Sequence, residues 1–414
     1  MRTGGGIRRL ATLLAAVFCS VSALGQGRVL SGDIRTLRVT LDGNPLLAPV
    51  LKLGGSSHLF ISWDEMSHDY HRYTYRLQHC SMEWQPTEDL FESDYLYGTN
   101  DLPVDQYENS FNTTQIYTHY SLQFPNRDAS PLLSGNYTLS IYDEDAPTDG
   151  EAVIEVRFRV VEESMGLTMA VSSNTDVDCN VSHQQVTLDL DYGGLSVVTP
   201  QEQITALVMQ NRRESRSVTG TPADIVRSGG LQWLHRDELI FPAGNEYHKF
   251  EILNVHQSGM NVDNMRWYDP FFHATLWTDV LPENYLSAED HNGIFIPRTE
   301  DQENNDTQSE YVMVHFSLEI PRQQEGIYVS GQWSNGELDP DCQMTYNEAE
   351  ERYEAEILLK QGYYEYIYVG ESGSVQDTMG DFWQTENEYQ AFIYYRELGG
   401  RYDRIVAHRT ANLR

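Results

Sequence analysis

The sequence predicts an all-β protein with three consecutive antiparallel immunoglobulin-like β-sandwich domains. Apolar side chains recur at every second residue in several segments, for example 186–192 and 312–320. This period places them on one face of a strand. Turn-forming clusters separate such segments, as at 42–45 and 334–336, and we find no long segment with the period of an amphipathic helix. Many short strands between turn signals are typical of sandwiches.

Changes in composition set the predicted domain boundaries. We expect the first sandwich domain over residues 26–163 and a middle sandwich over 164–297. Residues 298–310 are polar and acidic, which predicts a linker because such a segment cannot bury apolar surface. The remaining residues, 311–414, are expected to form a C-terminal sandwich.

Residues 1–25 have the pattern of a secretory signal peptide. Three arginines precede an apolar run at 10–18, and small residues follow at 22–25. The apolar run is too short to span a membrane permanently, and no later run of about 20 apolar residues exists. Cys19 raises the alternative of a lipid-modified cysteine, but bulky Phe18 precedes it where lipoprotein signals carry a small residue. We therefore expect an exported mature chain with no integral membrane segment.

The chain is strongly acidic. It has 28 Lys and Arg against 62 Asp and Glu, a net charge of −34. Loss of the three arginines in the signal segment would leave 25 basic and 62 acidic residues, a net charge of −37. Such a field repels nucleic acid and anionic lipid headgroups, so neither is an expected partner. The field could steer the protein toward a basic surface, and a generally acidic, well-solvated exterior is the alternative explanation of the charge.

Three cysteines would remain after processing: Cys80, Cys179 and Cys342. An odd and dispersed set is a poor disulfide framework, and the sequence contains no Cys-x-x-Cys pair. Buried free thiols are the expected state, although the sequence leaves their redox state open.

No residue pattern predicts catalysis, a cofactor or a metal. The sequence lacks a P-loop, a dinucleotide-binding fingerprint and a Gly-x-Ser-x-Gly elbow. Two clusters of histidine and carboxylate, at 68–71 and 289–291, do not have the spacing of a zinc site. Acid pairs at glycosidase separation are not excluded by sequence alone. We predict no enzyme activity and no catalytic, cofactor-binding or metal-binding residues.

Two segments of the predicted C-terminal domain, 328–335 and 362–368, resemble strands of carbohydrate-binding sandwiches of the glycogen-branching and starch-enzyme type. Trp333 could then stack on a sugar ring through its apolar face. Alternatively, Trp333 and the tyrosines that follow pack the sandwich. The sugar reading gives an alternative function: a secreted carbohydrate-binding accessory protein that uses aromatic residues of this domain.

The most specific stretch is 110–120, with the order Ser-Phe-Asn-Thr-Thr-Gln-Ile-Tyr-Thr-His-Tyr. Its alternation predicts a strand with Phe111 buried. Farther along, Arg401, Asp403 and Arg404 are expected to form ion pairs or to bond backbone carbonyls. Further segments carry the same kind of pattern: 45–49, 63–64, 73–76, 79–80, Trp84, 134–137, 385–389 and 401–404. Together with 110–120, they resemble the plug protein family of the type IX secretion system of Bacteroidetes-type bacteria.

The resemblance implies a periplasmic protein, peripherally associated with the outer membrane, that closes the periplasmic opening of the giant translocon barrel. Its partner would be that barrel, and its action would need no cofactor. The chain departs from the family pattern at Trp63-Asp64, where a phenylalanine is expected before the aspartate; this change is conservative for packing. The resemblance does not say which surface contacts the translocon.

Overall fold

The computed structural model describes residues 27–145, 150–301, 304–334, 336 and 338–413. Over these residues the predicted all-β class is confirmed, since short strands form mainly antiparallel sheets, with three parallel strand pairs, that pack as sandwiches. The predicted signal peptide and Cys19 lie outside the described residues.

Strands β1 to β12 build the first sandwich, with one short helix, α1. Its core contains large aromatic side chains such as Trp63, Tyr73 and Tyr120, all buried between the two sheets. One sheet has the order β2-β4-β9-β8 and the other β1-β12-β11-β5-β7, with β3 beside β12. The bounds are β1 Gly27–Val29, β2 Ile34–Leu41, β3 Val50–Lys52, β4 Leu59–Glu65, β5 Tyr73–Cys80, α1 Glu92–Tyr95, β6 Leu96–Gly98, β7 Leu102–Pro103, β8 Gln106–Asn109, β9 Thr118–Phe124, β10 Ala129–Pro131, β11 Gly135–Asp143 and β12 Ala152–Val161.

The next segment supplies most of a second sandwich. Its first sheet has the order β13-β14-β18-β17, with β19 beside β14, and β15 pairs with β16 in another sheet. The bounds are β13 Gly166–Ser172, β14 His183–Asp191, α2 Pro200–Gln203, β15 Ile204–Gln210, a 3₁₀ turn Glu214–Arg216, β16 Ser217–Thr219, β17 Ile225–Arg227, β18 Gly230–Trp233, a 3₁₀ turn Asp237–Leu239 and β19 Ile240–Pro242.

The rest of the described chain forms the third sandwich and then returns to the second. The bounds are β20 His248–Glu251, β21 Val262–Tyr268, β22 Phe271–Leu276, β23 Asp279–Val280, β24 Phe295–Pro297, α3 Asn305–Gln308, β25 Tyr311–Glu319, β26 Ile327–Ser330, a 3₁₀ turn Pro340–Cys342, β27 Thr345–Asn347, β28 Arg352–Lys360, β29 Gly362–Gly370, α4 Gln376–Met379, β30 Glu388–Tyr395 and β31 Arg404–Asn412. None of the helices among the described residues is long and apolar enough to cross a membrane.

The strand pairing crosses the domain boundaries predicted from the sequence. Strand β30 pairs with β15, and β31 with β30, so the last two strands complete the second sandwich instead of the C-terminal unit predicted over 311–414. Strands β20 to β24, predicted in the middle domain, belong to the third sandwich. The physical reason is burial, since β15 and β30 close the hydrophobic core that β13 and β14 leave open. The third sandwich is therefore inserted into the second.

The predicted acidic linker 298–310 also differs from expectation. It contains α3, and its last residues, Ser309 and Glu310, are buried against neighbouring sandwiches. Their polar groups are satisfied by hydrogen bonds: the Ser309 hydroxyl donates to Asn305 O at 2.6 Å, and the Tyr311 N–H donates to the Glu310 carboxylate at 3.0 Å. A polar segment can be buried when each of its groups finds a partner.

Candidate functional site

The 110–120 stretch lies where the first sandwich meets the third. Residues before β9 form a loop, and Phe111, which the sequence predicted as buried, is 62% exposed. The backbone N–H groups of Thr114 and Gln115 donate to the Glu310 carboxylate at 2.6 and 3.2 Å. One side chain of the third sandwich thus fixes the loop of the first. Sequence reasoning missed Glu310 because it falls in the predicted linker.

Tyr117 is the buried aromatic of this stretch. Its hydroxyl donates to Ser309 O at 2.9 Å and to Asp306 O at 3.2 Å. Its ring meets the edge of the Tyr311 ring at 5.4 Å between centroids. Burial raises its pKa far above the ordinary tyrosine range, and Asp64 adds to this shift. Tyr117 therefore stays neutral and acts as a hydrogen-bond donor across the junction.

A buried ion pair lies at the centre of the same junction. The Asp64 carboxylate accepts from Lys360 Nζ at 2.6 Å, from the Tyr311 hydroxyl at 2.7 Å and from His119 Nδ1 at 2.6 Å. Burial opposes the charge on Asp64, but Lys360 and His119 hold its pKa below the ordinary value. Burial lowers the pKa of Lys360, whose ammonium also lies 4.4 Å from the Tyr117 ring centroid. Asp64 belongs to the predicted motif, whereas Lys360 was not singled out.

A second junction joins the first sandwich to the outer face of β15, β30 and β31. Arg159 lies between the rings of Trp84 and Phe392, at 5.0 and 4.8 Å from their centroids. Its guanidinium donates to the Tyr394 hydroxyl at 3.1 Å and to Glu214 at 3.2 Å. Such a flat cation suits a site between two rings. Trp84 was in the sequence motif; Arg159 and Phe392 were not.

Ion pairs fasten the turn between β30 and β31 to the first sandwich. Ion pairs form along it, and they involve all three charged residues named from the sequence. The pairs are Arg401–Asp94 at 2.9 Å, Arg396–Asp403 at 3.0 Å and Arg404–Glu162 at 2.5 Å. Because the first pair is about half exposed, its net contribution to stability is small.

The buried His79 explains why the motif has Ser134 and Gly135 beside it. Its Nε2 donates to Ser134 O at 3.2 Å, which leaves Nδ1 to accept from the Thr87 hydroxyl at 2.9 Å. Burial lowers the pKa of His79 to about 4, so the ring is neutral at pH 7. A Cβ at Gly135 would lie 2.5 Å from Nε2, and the backbone there has a φ of +139°, so glycine is required.

Buried carboxyl groups surround the long connection between β23 and β24. The Glu246 carboxyl accepts from the Tyr285 hydroxyl at 2.5 Å, and Asp290 accepts from the Tyr247 N–H at 2.6 Å. Burial, with the neighbouring Glu246 and Glu365, raises the pKa of Asp290 to about 7, and burial also raises that of Glu246. The predicted 289–291 cluster is therefore part of a network that holds a loop.

The other histidine cluster, 68–71, does not converge on one site. His71 Nδ1 bonds Asp143 at 2.8 Å, whereas His68 Nδ1 bonds Tyr117 O at 3.3 Å. Asp69 is exposed. In the part of the chain that the structure describes, no group of three or more His, Cys, Asp or Glu side chains is arranged to hold a metal ion.

Trp333, the sugar-binding candidate, is partly buried against the core of the third sandwich. Its indole N–H donates to Glu365 O at 3.0 Å. Its ring packs on Phe316 and meets Tyr364, with centroids 6.4 and 5.6 Å away. These contacts match the packing alternative, and sugar binding by Trp333 stays a prediction.

The three cysteines are free thiols. Cys80 and Cys342 are buried, and burial raises the pKa of both. Cys179 is exposed, which differs from the expectation that all three would be buried. It lies between β13 and β14, in a turn that contributes nothing to a core.

One exposed surface was not predicted at all. We call it the hairpin patch; its exposed members are Phe111 and Ile116 of the loop with Trp267 and Tyr268 of the hairpin, the last two on opposite faces of their strand. The Gln115 side-chain amide donates to Pro270 O at 2.6 Å, which holds the loop of the first sandwich beside the β21–β22 hairpin. Aromatic side chains are enriched among the residues that dominate interaction surfaces.

Comparison with known families decides the identity of this arrangement. Residues 34–162, which carry most of the motif positions described above, match the family described as Type 9 secretion system plug protein 1st domain. The chain belongs to the type IX secretion system plug protein family. Membership connects it with type IX secretion and with the cell envelope.

The whole fold also occurs in a solved structure, the crystal structure of a hypothetical protein from Parabacteroides merdae. The two chains are 33% identical, with a TM-score of 0.89, and the match covers 94% of this chain and 99% of the other. A comparison with curated proteins finds no match. The inserted third sandwich is therefore part of a shared architecture that extends beyond the first domain of the plug family.

Proposed function

We propose that the protein closes the periplasmic opening of the giant outer-membrane translocon of the type IX secretion system. The observation that carries this proposal is the family match over the first sandwich. The protein would reside in the periplasm, peripherally associated with the outer membrane. Very large β-barrels enclose open aqueous lumens, and a pore of that kind would leak small solutes unless something covered it.

The internal junctions support this role in physical terms. A cover must keep its shape while it blocks a wide opening, and flexible linkers between domains would defeat it. Here the first sandwich is joined to the third by the buried Asp64–Lys360 pair and to the second by Arg159. Because the third sandwich is inserted into the second, all three sandwiches are connected by more than the chain alone.

The proposal assigns no catalytic step. The buried carboxyl groups of Asp64, Glu246 and Glu310 accept hydrogen bonds from tyrosine, lysine or backbone groups, so they have structural partners. With a net charge of −34, the surface favours a basic contact region on the translocon. Binding through a mixed polar interface would be strong enough to seal and still reversible.

The test is entry of a bulky antibiotic or dye into four strains: wild type, plug deletion, translocon deletion and the double deletion. We expect greater entry in the plug deletion and restoration of the wild-type level in the double deletion, because a plug has no effect without its pore. Restoring the plug gene should reverse the leak.

Two results would contradict the proposal. Equal entry in wild type and plug deletion would show that the protein seals nothing. Equal leakage in the plug deletion and the double deletion would show that the opening lies elsewhere. Fractionation checks the location independently, and recovery in the cytosol would contradict it.

A further inference from the structure

Strand β21 forms an open edge of the third sandwich. Its sheet has the order β21-β22-β25-β28-β27, so β22 is its one neighbour in the sheet among the described residues. The strand is seven residues long, Val262–Tyr268, and most of its side chains are exposed or partly exposed. Long edge strands with exposed apolar side chains are templates for another strand.

The hairpin register identifies the backbone groups that face outward. The Trp277 N–H donates to Asn261 O, so odd-numbered residues of β22 direct their backbone groups toward β21. A bulge between Val262 and Asn264 shifts the register, so from Asn264 to Tyr268 the partners in β21 are the even-numbered residues, such as Arg266. Successive residues alternate in direction, so Met265 and Trp267 direct their N–H and C=O groups away from the sheet.

Among the described residues, the outward backbone groups of Met265 and Trp267 lack the hydrogen-bond partner that Asp263 has on the same edge. The carbonyl of Asp263, the extra residue of the bulge, accepts from the Ser258 hydroxyl at 3.3 Å. For Met265 and Trp267, no strand in the described part of the chain supplies a partner. Two donors and two acceptors, spaced by about 7 Å along the strand, are thus available to an incoming extended segment.

Apolar side chains lie at both ends of this edge. The hairpin patch occupies the end near the turn, where Trp267 is 46% and Tyr268 53% exposed. At the other end lie Trp277, which is 62% exposed, and Met260. A strand added along β21 would bury aromatic surface at each end, and aromatic anchors dominate the energetics of such interfaces.

Charge indicates which kind of segment fits. Asp263 and Asp269 are exposed at the two ends of the edge, and Arg266 lies between them. A second copy of this acidic protein would bring a like charge of −34 toward the first, which opposes pairing of two β21 edges. A segment with lysine or arginine near its ends would instead complement the aspartates.

We propose that the β21 edge receives an extended, basic segment of the translocon, which adds one strand to this sheet by backbone pairing. This inference rests on the proposed function, since it identifies the surface by which the plug meets its partner. Backbone pairing supplies the affinity, and the hairpin patch and the flanking aspartates supply the selectivity.

The test compares Met265→Pro with Met265→Ala. Both variants remove the same side chain, but only proline removes the outward N–H, and edge strands tolerate proline where the N–H faces solvent. Purified wild type and variants are titrated against detergent-solubilised translocon. We expect Met265→Ala to bind like wild type and Met265→Pro to bind about tenfold more weakly, with thermal unfolding of the two variants matched.

A second measurement keeps the inference testable if Met265→Pro fails to fold. A photoreactive amino acid in place of Tyr268, which is 53% exposed, should crosslink to the translocon. The same group in place of Tyr97, which is 60% exposed, should not. Crosslinking from Tyr97 alone would overturn the inference.

The remaining outcomes separate this inference from the function itself. Equal binding by wild type and Met265→Pro overturns the edge contact and leaves the plug function intact. Failure of wild type to bind overturns both. Retention on insoluble polysaccharide that Trp267→Ala abolishes, or a concentration-dependent dimer that Met265→Pro abolishes, would assign the edge to sugar or to a second copy and overturn it as well.

Discussion

At the scale of single residues, the junction between the first and third sandwiches depends on a charge pair that is removed from water. Asp64 and Lys360 are fully buried, and taking two charges out of water is costly unless each is well paired. The hydroxyl of Tyr311 and the ring of His119 supply the additional hydrogen bonds that make the pair tolerable. Loss of one member would leave the other buried without its counter-charge.

The variant Lys360→Met should therefore be less stable than wild type. Methionine fills a similar volume but removes the lysine counter-charge from the buried Asp64 carboxylate, so the free energy of unfolding should fall by about 3 to 5 kcal/mol. The matched control is the double variant Asp64→Asn with Lys360→Met, which removes both charges and should recover most of that loss. Chemical denaturation measures both. If the double variant is as unstable as the single one, packing and not charge holds the junction.

At the scale of elements, the fold class was predictable and the assignment of the last strands was not. Alternation predicts a strand when one face is buried, as in Tyr311–Glu319, where every second residue is buried. In Glu388–Tyr395 nearly every residue is buried, because one face lies on the core of the second sandwich and the other on the first. A strand that is buried on both faces lacks the alternation of apolar and polar residues, so its sequence does not indicate the sheet to which it belongs.

The residues of the candidate site were also only partly predictable from the sequence. The motif positions Asp64, Tyr117 and His79 were found from sequence, because their residue types stand out in order. Lys360 lies 296 residues from its partner Asp64, and Glu310 lies 196 residues from its partner Thr114 in the same motif. Pairing over that distance depends on how the sandwiches pack, which no local pattern encodes.

The loop between β23 and β24 gives a pH prediction at the same scale. The pKa of Asp290 is about 7 in the folded protein and about 3.9 in the unfolded chain. The folded state therefore binds more protons, and this contribution to stability is present at pH 4 and lost as the pH rises through 7. In Glu246→Gln the unfolding free energy should fall less as the pH rises. The glutamine amide removes a neighbouring negative charge and can donate a hydrogen bond to the ionised Asp290.

The measurement is the unfolding free energy of wild type and Glu246→Gln at several values between pH 4 and 8. Taking the difference cancels groups that titrate alike in both proteins, such as His79, whose lowered pKa acts in the opposite direction. The difference should grow in favour of Glu246→Gln as the pH rises. A difference that stays constant with pH would show that Asp290 does not titrate in this range.

At the scale of the whole molecule, the order of the chain couples the sandwiches. The second sandwich begins with β13 and is completed by β30 and β31, after the entire third sandwich. Its core therefore contains side chains from both parts of the chain, such as Leu188 and Ile393. Because the core of the second sandwich needs strands from both sides of the insertion, we expect it to be lost as a unit when either part is removed.

Removal of residues 385–414 tests this coupling. If the boundaries predicted from sequence held, the second sandwich would survive and the third would be damaged. The topology gives the opposite expectation: amide protection should vanish in β14 and β15 of the second sandwich, while β25 and β28 of the third keep part of theirs. A matched control that removes only residues 411–414 leaves the pairing of Ile393 with Ala407 intact and should unfold like wild type. Persistent protection in β15 after the long deletion would show that the second sandwich stands without its last strands, and the three sandwiches would then be separable units.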